Sequence, residues 1–300
     1  MSFNPFCRYV LSLRLEMTGF SATFAVCSDT VPHNPFKAMN LNLIGKYALV
    51  GGSTQGIGRA SAVELALLGA NVILLARNED KLKETVATLD TTKAQRHQYI
   101  VADYAQPEAL GEKIQAYLSA NPSVHILVNN TGGPPAGTAL NAAPSEFLAA
   151  FNNHLVCNHI LAQALVPGMK AEKYGRIINI ISTSVKQPIP GLGVSNTIRA
   201  AVGNWAKTLS IELAPFGITV NNVLPGATNT TRLQSIIGNK SAKVGKSEEE
   251  ITNEMIAEIP AGRIADASEV ASAVAFLATP AAAYINGINV PVDGGRTASL

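Results

Sequence analysis

The sequence contains few charged residues, few cysteines and a single tryptophan. Of its 300 residues, 23 are Lys or Arg and 21 are Asp or Glu, so 15% are charged, against about 25% in an average soluble protein. A net charge of +2 supplies no basic field, which excludes nucleic-acid binding through bulk electrostatics. The three cysteines, Cys7, Cys27 and Cys157, are too few and too scattered for a disulfide scaffold.

Two further absences limit the class of protein. The sequence has no stretch of the ~20 apolar residues that a membrane-spanning helix needs. Its histidines and cysteines show no spacing typical of metal ligands. We therefore predict a cytoplasmic protein without a membrane partner, a nucleic-acid partner or a metal site.

Short apolar runs alternate with helical segments along the chain, and 47% of the residues are hydrophobic. Such runs are typical of parallel strands buried under helices on both faces. We predict an α/β fold with a Rossmann-type, doubly wound, seven-stranded parallel sheet in a single domain, residues 39–300. The predicted strands are residues 47–50, 71–76, 99–102, 125–128, 176–181, 219–223 and 288–292. The predicted helices include a continuous one over 145–170 and another over 196–213.

Two segments stand outside this regular pattern. Residues 1–38 hold five of the nine phenylalanines and lack a sustained periodicity. They form either a leader outside the core, a secretory signal, or a stretch upstream of the true start at Met39. Residues 231–262 are a polar insertion on the substrate side, predicted to form a lid in which Glu248–Glu250 open a helix.

A glycine-rich turn, GGSTQGIG, follows the first predicted strand and precedes a helix. Gly52 allows the tight turn, Gly56 allows the backbone to approach a pyrophosphate, and Gly58 allows the helix to pack on the strand. The N–H groups at the start of the helix then face the phosphates. The turn predicts a dinucleotide site, although a tight turn without a ligand has the same local pattern. The other cofactor-binding residues predicted in this turn are Ser53, Thr54 and Ile57.

The end of the second strand predicts which dinucleotide is bound. An acid that accepts hydrogen bonds from the ribose 2′-hydroxyl is typical of NAD sites, but here Arg77 follows Ala76. A guanidinium binds a 2′-phosphate through two hydrogen bonds, with the hydroxyls of Ser53 and Thr54 as further donors. We predict NADP(H) as the cofactor; an ordinary surface arginine at a strand end is the alternative.

Together these motifs resemble those of the short-chain dehydrogenase/reductase family over residues 40–300. The spacing G-x-x-x-G-x-G matches the glycine-rich turn, Asn129–Gly132 (NNTG) resembles NNAG, Pro225–Thr230 resembles PG-x-x-x-T, and Val292–Gly295 reads VDGG. The members it most resembles are 3-oxoacyl-acyl-carrier-protein reductases. The cofactor-binding residues that the resemblance implies are Asp103, Tyr104, Asn129, Thr131, Gly132, Arg199, Pro225, Gly226 and Thr230.

The catalytic residues of the family carry over only in part. The serine after the fifth strand corresponds to Ser182, whereas the tyrosine position holds Ser195 and the lysine position holds Arg199. The sequence has no tyrosine between Tyr174 and Tyr284, so a shift of register does not restore the match. The site therefore combines a complete cofactor pattern with an altered catalytic set.

These replacements leave the proton donor open. A serine hydroxyl is a far weaker acid than a tyrosine of pKa about 10, and Arg199 does not release a proton in proteins. The asparagine of the family's long helix corresponds to His154, either a donor of pKa about 6.5 or a histidine that only packs the helix. Lys186 is either a second donor or a solvated loop lysine. We hypothesise that Ser182 and Ser195 orient a carbonyl while His154 or water supplies the proton.

Two functions are compatible with these residues. One is an NADP(H)-dependent oxidoreductase that reduces a ketone, an aldehyde or a 3-oxoacyl thioester. The other is a catalytically weak NADP(H)-binding pseudo-enzyme that acts as an interaction or sensing module. The resemblance further implies a homotetramer or homodimer that packs through the long helices. The basic residues of the lid either attract acyl-carrier protein or coenzyme A phosphates or form a solvated surface; they are Arg232, Lys240, Lys243 and Lys246.

Overall fold

The computed structural model describes residues 38–121 and 123–299 of the chain. The predicted leader, residues 1–38, lies outside the described residues except for Ala38. The chain from Asn40 onward forms one compact unit, and it contains every motif identified above.

Seven strands form one parallel sheet, which confirms the predicted α/β class. The strands are β1 (Tyr47–Gly51), β2 (Asn71–Ala76), β3 (Gln98–Val101), β4 (Ile126–Asn129), β5 (Gly175–Ile180), β6 (Ile218–Pro225) and β7 (Asn289–Val292). Their order is β3-β2-β1-β4-β5-β6-β7, with neighbouring strands parallel. The predicted strand ends agree with the observed ones to within two residues. The apolar runs located the strands because helices cover both faces of the central ones.

Helices form a layer on each side of this sheet. The α-helices of the described chain are α1 (Gly56–Leu67), α2 (Glu79–Ala87), α3 (Pro107–Ala120), α4 (Pro144–Phe151), α5 (Cys157–Ala171), α6 (Gly193–Leu213), α7 (Thr231–Val244), α8 (Glu248–Ala257) and α9 (Ala267–Ala278). Side chains alternate along β2, so Leu74 packs in one core with Leu65 of α1 and Val274 of α9. Its neighbour Ile73 packs in the opposite core with Leu161 of α5. Across residues 38–121 and 123–299, no helix is both long and apolar enough to cross a bilayer.

The long helix predicted over residues 145–170 is helical throughout, from Pro144 to Ala171, but it is not one regular α-helix. A π turn, Asn152–Val156, separates α4 from α5, and the Cys157 N–H donates to the Asn152 carbonyl five residues back. A π turn carries one extra residue, so it rotates the side chains before it relative to those after it. The apolar periodicity of a long helix does not reveal a single inserted residue.

The predicted lid, residues 231–262, contains two helices and not only loops. The Thr230 hydroxyl accepts a hydrogen bond from an α7 backbone N–H, and Ser247 caps α8, which begins at Glu248 as expected. The sequence predicted α8 alone, because its first turn contains three acidic residues that mark a helix start, whereas the first turn of α7 contains no acidic residue.

The basic residues of the lid differ in their surroundings. Glu254 of α8 accepts hydrogen bonds from Lys240 of α7, at 3.2 Å, and from Lys246. These two lysines therefore connect the lid helices to each other. Of the four basic residues that were proposed to meet a partner, two are engaged within the lid.

Four asparagines form a hydrogen-bonded ladder across the sheet. Asn129, Asn179, Asn222 and Asn289 occupy paired positions on β4, β5, β6 and β7. The side-chain N–H groups of the first three donate to the side-chain oxygen of the next asparagine, at 2.8, 2.9 and 2.8 Å. Asn179 is fully buried, so the ladder satisfies polar groups that water does not reach.

Candidate functional site

A cleft of about 940 Å³ runs across the carboxyl ends of the strands, and residues that follow β1 to β6 line it. The chain crosses from β1 to β2 on one side and from β4 to β5 on the other. A reversal of this kind is a topological switch point, where open α/β sheets bind their ligands. The volume suits one large ligand that lies along the cleft.

The glycine-rich turn forms the wall of the cleft after β1. Gly52 and Gly56 have φ angles of +55° and +53°, in the region that L side chains rarely adopt. A β-carbon on Gly58 would lie 2.3 Å from the Gly52 carbonyl oxygen, so the close packing of α1 requires glycine there. Gly52, Thr54, Gly56 and Ile57 line the cleft, and Gly58 packs behind them.

The N-terminus of α1 lies at this wall without a side-chain cap. Gln55 precedes the helix and makes no side-chain cap hydrogen bond, as is also the case for the residues that precede α3 and α6. The first N–H groups of a helix carry partial positive charge and bind phosphate oxygens. The residues of this turn therefore fit the pyrophosphate of a dinucleotide.

Cationic side chains line the end of the cleft after β2. Arg77 is exposed there, and Lys81 of α2 lies on the same wall. Ser53, which we predicted as a further phosphate donor, is fully buried, and its hydroxyl donates to the Leu75 carbonyl at 3.5 Å. That prediction is wrong, because the turn at Gly52 directs the Ser53 side chain back against β2.

The side chain that reaches the cleft after β4 is Asn130 and not the predicted Asn129. Asn129 is the last residue of β4, and its buried amide belongs to the ladder. The Asn130 amide lines the cleft and donates to the Gly51 carbonyl at 3.1 Å. Successive side chains of a strand point to opposite faces, so one residue separates the two environments. Asn129 holds the strand, and Asn130 holds the glycine-rich turn.

The other residues implied for cofactor binding lie along the same cleft. They are Asp103, Tyr104, Thr131, Gly132, Arg199, Pro225, Gly226 and Thr230. A β-carbon on Gly132 would have open space around it, so the cleft is wide at this point. Tyr104 lines the cleft, but its hydroxyl is buried against Gly51. Burial raises the pKa of this hydroxyl.

Ser182, Ser195 and Arg199 line the same cleft, beyond the carboxyl end of β5. The Ser182 oxygen accepts a hydrogen bond from a backbone N–H at 3.1 Å, so its proton is free to be donated. Arg199 has an exposed fraction of only 8%. Its guanidinium donates to the carbonyls of Ile180, at 3.0 Å, and Thr131, at 3.4 Å. The serine predicted to be retained and the two positions predicted to be replaced thus line one cleft.

His154 lies behind the wall of the cleft. Its exposed fraction is 2%, and its Nδ1 is hydrogen-bonded to the Thr131 hydroxyl. Burial and, secondly, the Arg199 cation lower the pKa of His154 to about 2, because both disfavour another positive charge. The structure therefore contradicts the prediction that His154 donates a proton near neutral pH. Thr131 thus connects two of the predicted catalytic residues, through its hydroxyl to His154 and through its backbone carbonyl to Arg199.

Asn153, the residue before His154, differs from it in its surroundings. Both lie in the π turn, but Asn153 lines the cleft whereas His154 is buried. Two adjacent asparagines before His154 were the available signal for a different register.

Sequence reasoning also did not assign Arg232 to the cofactor cleft. Arg232 lies in the first turn of α7, lines the cleft and donates to the Pro134 carbonyl at 2.6 Å. Its position two residues after Thr230 was the available signal. Lys186, the second candidate donor, ends the turn after Ser182, outside the cleft lining. Among the described residues, no three His, Cys, Asp or Glu side chains are grouped to hold a metal ion.

The sheet order, the switch-point cleft and the uncapped helix after a glycine-rich turn define a dinucleotide-binding protein of the Rossmann type. Comparison with known proteins gives the family. The family model described as Enoyl-(Acyl carrier protein) reductase matches residues 52–297. The chain belongs to the short-chain dehydrogenase/reductase family.

Three relatives illustrate this membership. The 3-oxoacyl-[acyl-carrier-protein] reductase FabG of Vibrio cholerae is 33% identical over 256 residues, which cover 85% of this chain and 98% of that protein. The NADPH-dependent reductase BacG of Bacillus subtilis is 30% identical, over 84% of this chain and 98% of BacG. The structure of L-sorbose reductase from Gluconobacter frateurii, complexed with NADPH and L-sorbose, superposes with a TM-score of 0.82 at 31% identity, covering 87% of this chain and all of that one.

Proposed function

We propose that this protein is an NADP(H)-dependent oxidoreductase that reduces the carbonyl group of a small molecule. The observation that carries the proposal is that Ser182, Ser195 and Arg199 line the same cleft as the glycine-rich turn. A dinucleotide bound along the cleft extends from Arg77 toward the two serines. The similarity to 3-oxoacyl-[acyl-carrier-protein] and sugar reductases supports a ketone, an aldehyde or a 3-oxoacyl thioester as substrate.

The chain's own residues orient the carbonyl and balance its charge. When NADPH is bound, its nicotinamide supplies a hydride to the carbonyl carbon, and the carbonyl oxygen takes up one proton to form an alcohol. The Ser182 hydroxyl donates to that oxygen, with Ser195 beside it, and Arg199 provides a positive charge near the developing alkoxide. Because His154 is buried and neutral, water in the cleft supplies the proton. Without a positioned acid we expect a rate about 10²–10⁴-fold below that of an enzyme with one.

Arg77 selects the cofactor in this proposal. Its exposed guanidinium at the end of β2, with Lys81 nearby, suits the 2′-phosphate that distinguishes NADPH from NADH. We expect Arg77→Glu to reduce the preference for NADPH over NADH by roughly 10-fold or more, measured by titrating both cofactors. Arg96→Glu, at an exposed position preceding β3, is the matched control. Equal preference in wild type and Arg77→Glu would refute the assignment.

A second function, NADP(H) binding without significant turnover, is favoured by the altered catalytic set. The catalytic candidates that line the cleft are the hydroxyls of Ser182 and Ser195 and the guanidinium of Arg199, and His154 is buried behind it. NADPH oxidation measured against 3-oxoacyl thioesters, sugars and diketones separates the two functions. Turnover of any of these above the no-enzyme rate supports the reductase, whereas tight NADPH binding with no turnover supports the pseudo-enzyme.

We also propose that the protein assembles as a homotetramer or homodimer through its long helices. Leu148 of α4 and Ile211 of α6 are exposed, with exposed fractions of 65% and 68%. Large apolar side chains at these positions suit burial between subunits. Light scattering should give a dimer or tetramer mass for the wild type and a smaller mass for Leu148→Asp combined with Ile211→Asp.

A further inference from the structure

Two arginines from different helices converge on one point of the cleft. A β-carbon on Gly133 would lie 3.5 Å from a guanidinium nitrogen of Arg232 and 3.9 Å from one of Arg199. Arg199 comes from α6 and Arg232 from the first turn of α7. Both cations therefore reach the same region, and Ser182 and Ser195 line the cleft together with them.

The positive charge of this pair is not neutralised by the protein. Arg199 donates to the carbonyls of Ile180 and Thr131, and Arg232 donates to the carbonyl of Pro134, all of which are uncharged. Among the described residues, neither guanidinium has a carboxylate within 4.0 Å. Each guanidinium has five N–H donors, so several remain for a ligand.

Placing two like charges together beside a buried wall is unfavourable unless an anion joins them. Burial and then Arg232 lower the pKa of Arg199 to about 10, which still leaves it protonated at neutral pH. An anionic group between the two guanidiniums would relieve the repulsion and form charge-assisted hydrogen bonds with both.

The phosphates of the cofactor have other places in the cleft. The 2′-phosphate position lies at Arg77 after β2, and the pyrophosphate position lies at the start of α1 after β1. Arg199 is held at the ends of β4 and β5 by the Thr131 and Ile180 carbonyls, on the other side of β1 from β2. The pair therefore lies away from both positions that the cofactor's phosphates would take, so an anion that binds between the two arginines belongs to the substrate.

We propose that Arg199 and Arg232 bind an anionic oxygen group, a carboxylate or a phosphate, that the substrate carries close to its reacting carbonyl. This inference rests on the proposed reductase function and narrows its substrate class to oxo acids or phosphorylated ketones. Arg232 is a specificity-determining residue in this scheme, because it belongs to the lid, and loops over the carboxyl ends of the strands set substrate choice in this fold.

Anion binding by the NADP⁺-loaded protein tests the site without turnover. Oxalate represents the carboxylate and inorganic phosphate the phosphate, each titrated by calorimetry into wild type, Arg232→Gln and Arg96→Gln. The control, Arg96→Gln, removes the same charge from an exposed arginine far from the cleft. The Arg96 backbone N–H donates to the Asn71 side chain at the amino end of β2, whereas the cleft lies at the carboxyl ends of the strands. We expect one of the two anions to bind wild type and control alike, and to bind Arg232→Gln about 10- to 100-fold more weakly.

Steady-state reduction of pyruvate, dihydroxyacetone phosphate and the neutral 2,3-butanedione completes the test. The expected result is a higher kcat/KM for an anionic ketone than for the diketone, with KM for that ketone raised in Arg232→Gln. The inference is overturned if neither anion binds, or if Arg232→Gln binds them as tightly as wild type. Reduction of the diketone without anion binding would leave the reductase function standing and remove the anion site. Anion binding without reduction of any ketone would support the anion site and refute the reductase function.

Discussion

The asparagine ladder connects the sheet to the cleft, and replacing its central member tests how much it stabilises the fold. Asn179→Ala removes two hydrogen bonds, of 2.8 and 2.9 Å. It leaves the Asn129 amide N–H and the Asn222 carbonyl oxygen without these partners, in residues with exposed fractions of 2% and 3%. An unsatisfied buried polar group costs about 1–3 kcal/mol. We therefore expect Asn179→Ala to lower the free energy of unfolding by about 2–6 kcal/mol.

The other end of the ladder offers a matched control. Asn289 is exposed on the edge strand β7 and accepts only the last bond of the ladder. Asn289→Ala leaves only the Asn222 amide without this acceptor. Because the Asn289 side chain is exposed, water can take the place of its oxygen, so we expect a loss below about 1 kcal/mol. Urea unfolding followed by circular dichroism measures both variants. Equal losses for the two substitutions would refute the idea that the buried ladder stabilises the sheet.

Two further predictions concern the altered catalytic set. The pKa of His154 is about 2 in the folded state and about 6.5 in the unfolded state. Below pH 6.5 the unfolded state therefore binds a proton that the folded state does not bind, so the free energy of unfolding falls as the pH drops below about 6.5. Between pH 7.5 and 5.0 the wild type should lose about 2 kcal/mol more than His154→Asn in urea unfolding; identical losses would contradict the buried neutral state. Ser195→Tyr combined with Arg199→Lys should raise the NADPH-dependent reduction rate about 10²–10⁴-fold, and an unchanged rate in a variant that still binds NADPH would argue against Ser195 as the acid position.

Local patterns were sufficient where the relevant contacts are close in sequence. The strands were located from their apolar runs, and the glycine-rich turn from glycines whose geometry is a property of a few consecutive residues. The β2 end was informative for the same reason, since Arg77 follows the strand directly. These features depend on backbone geometry and on the alternation of side chains, both of which the sequence expresses locally.

Errors arose where one residue of register or one long-range contact decides the environment. A single step along the chain separates buried Asn129 from Asn130 in the cleft lining, and a single step separates Asn153 in the cleft lining from buried His154. The sequence predicts Ser53 as a phosphate donor, but in the fold its hydroxyl donates to the Leu75 carbonyl of β2. In each case the identity of the residue was compatible with both environments, and only the neighbouring element decided between them.

The sequence by itself determined the parallel α/β sheet and the dinucleotide turn, and it led to the prediction that Ser195 and Arg199 stand in place of the family's tyrosine and lysine. Only the tertiary structure decided that His154 is a buried partner of Thr131, and that Arg199 shares the cleft with Arg232 of the lid. The physical reason is that charge and burial act through space. Arg199 and Arg232 lie on different helices, and the repulsion between their guanidiniums exists only once the fold brings α6 and α7 to one edge of the sheet.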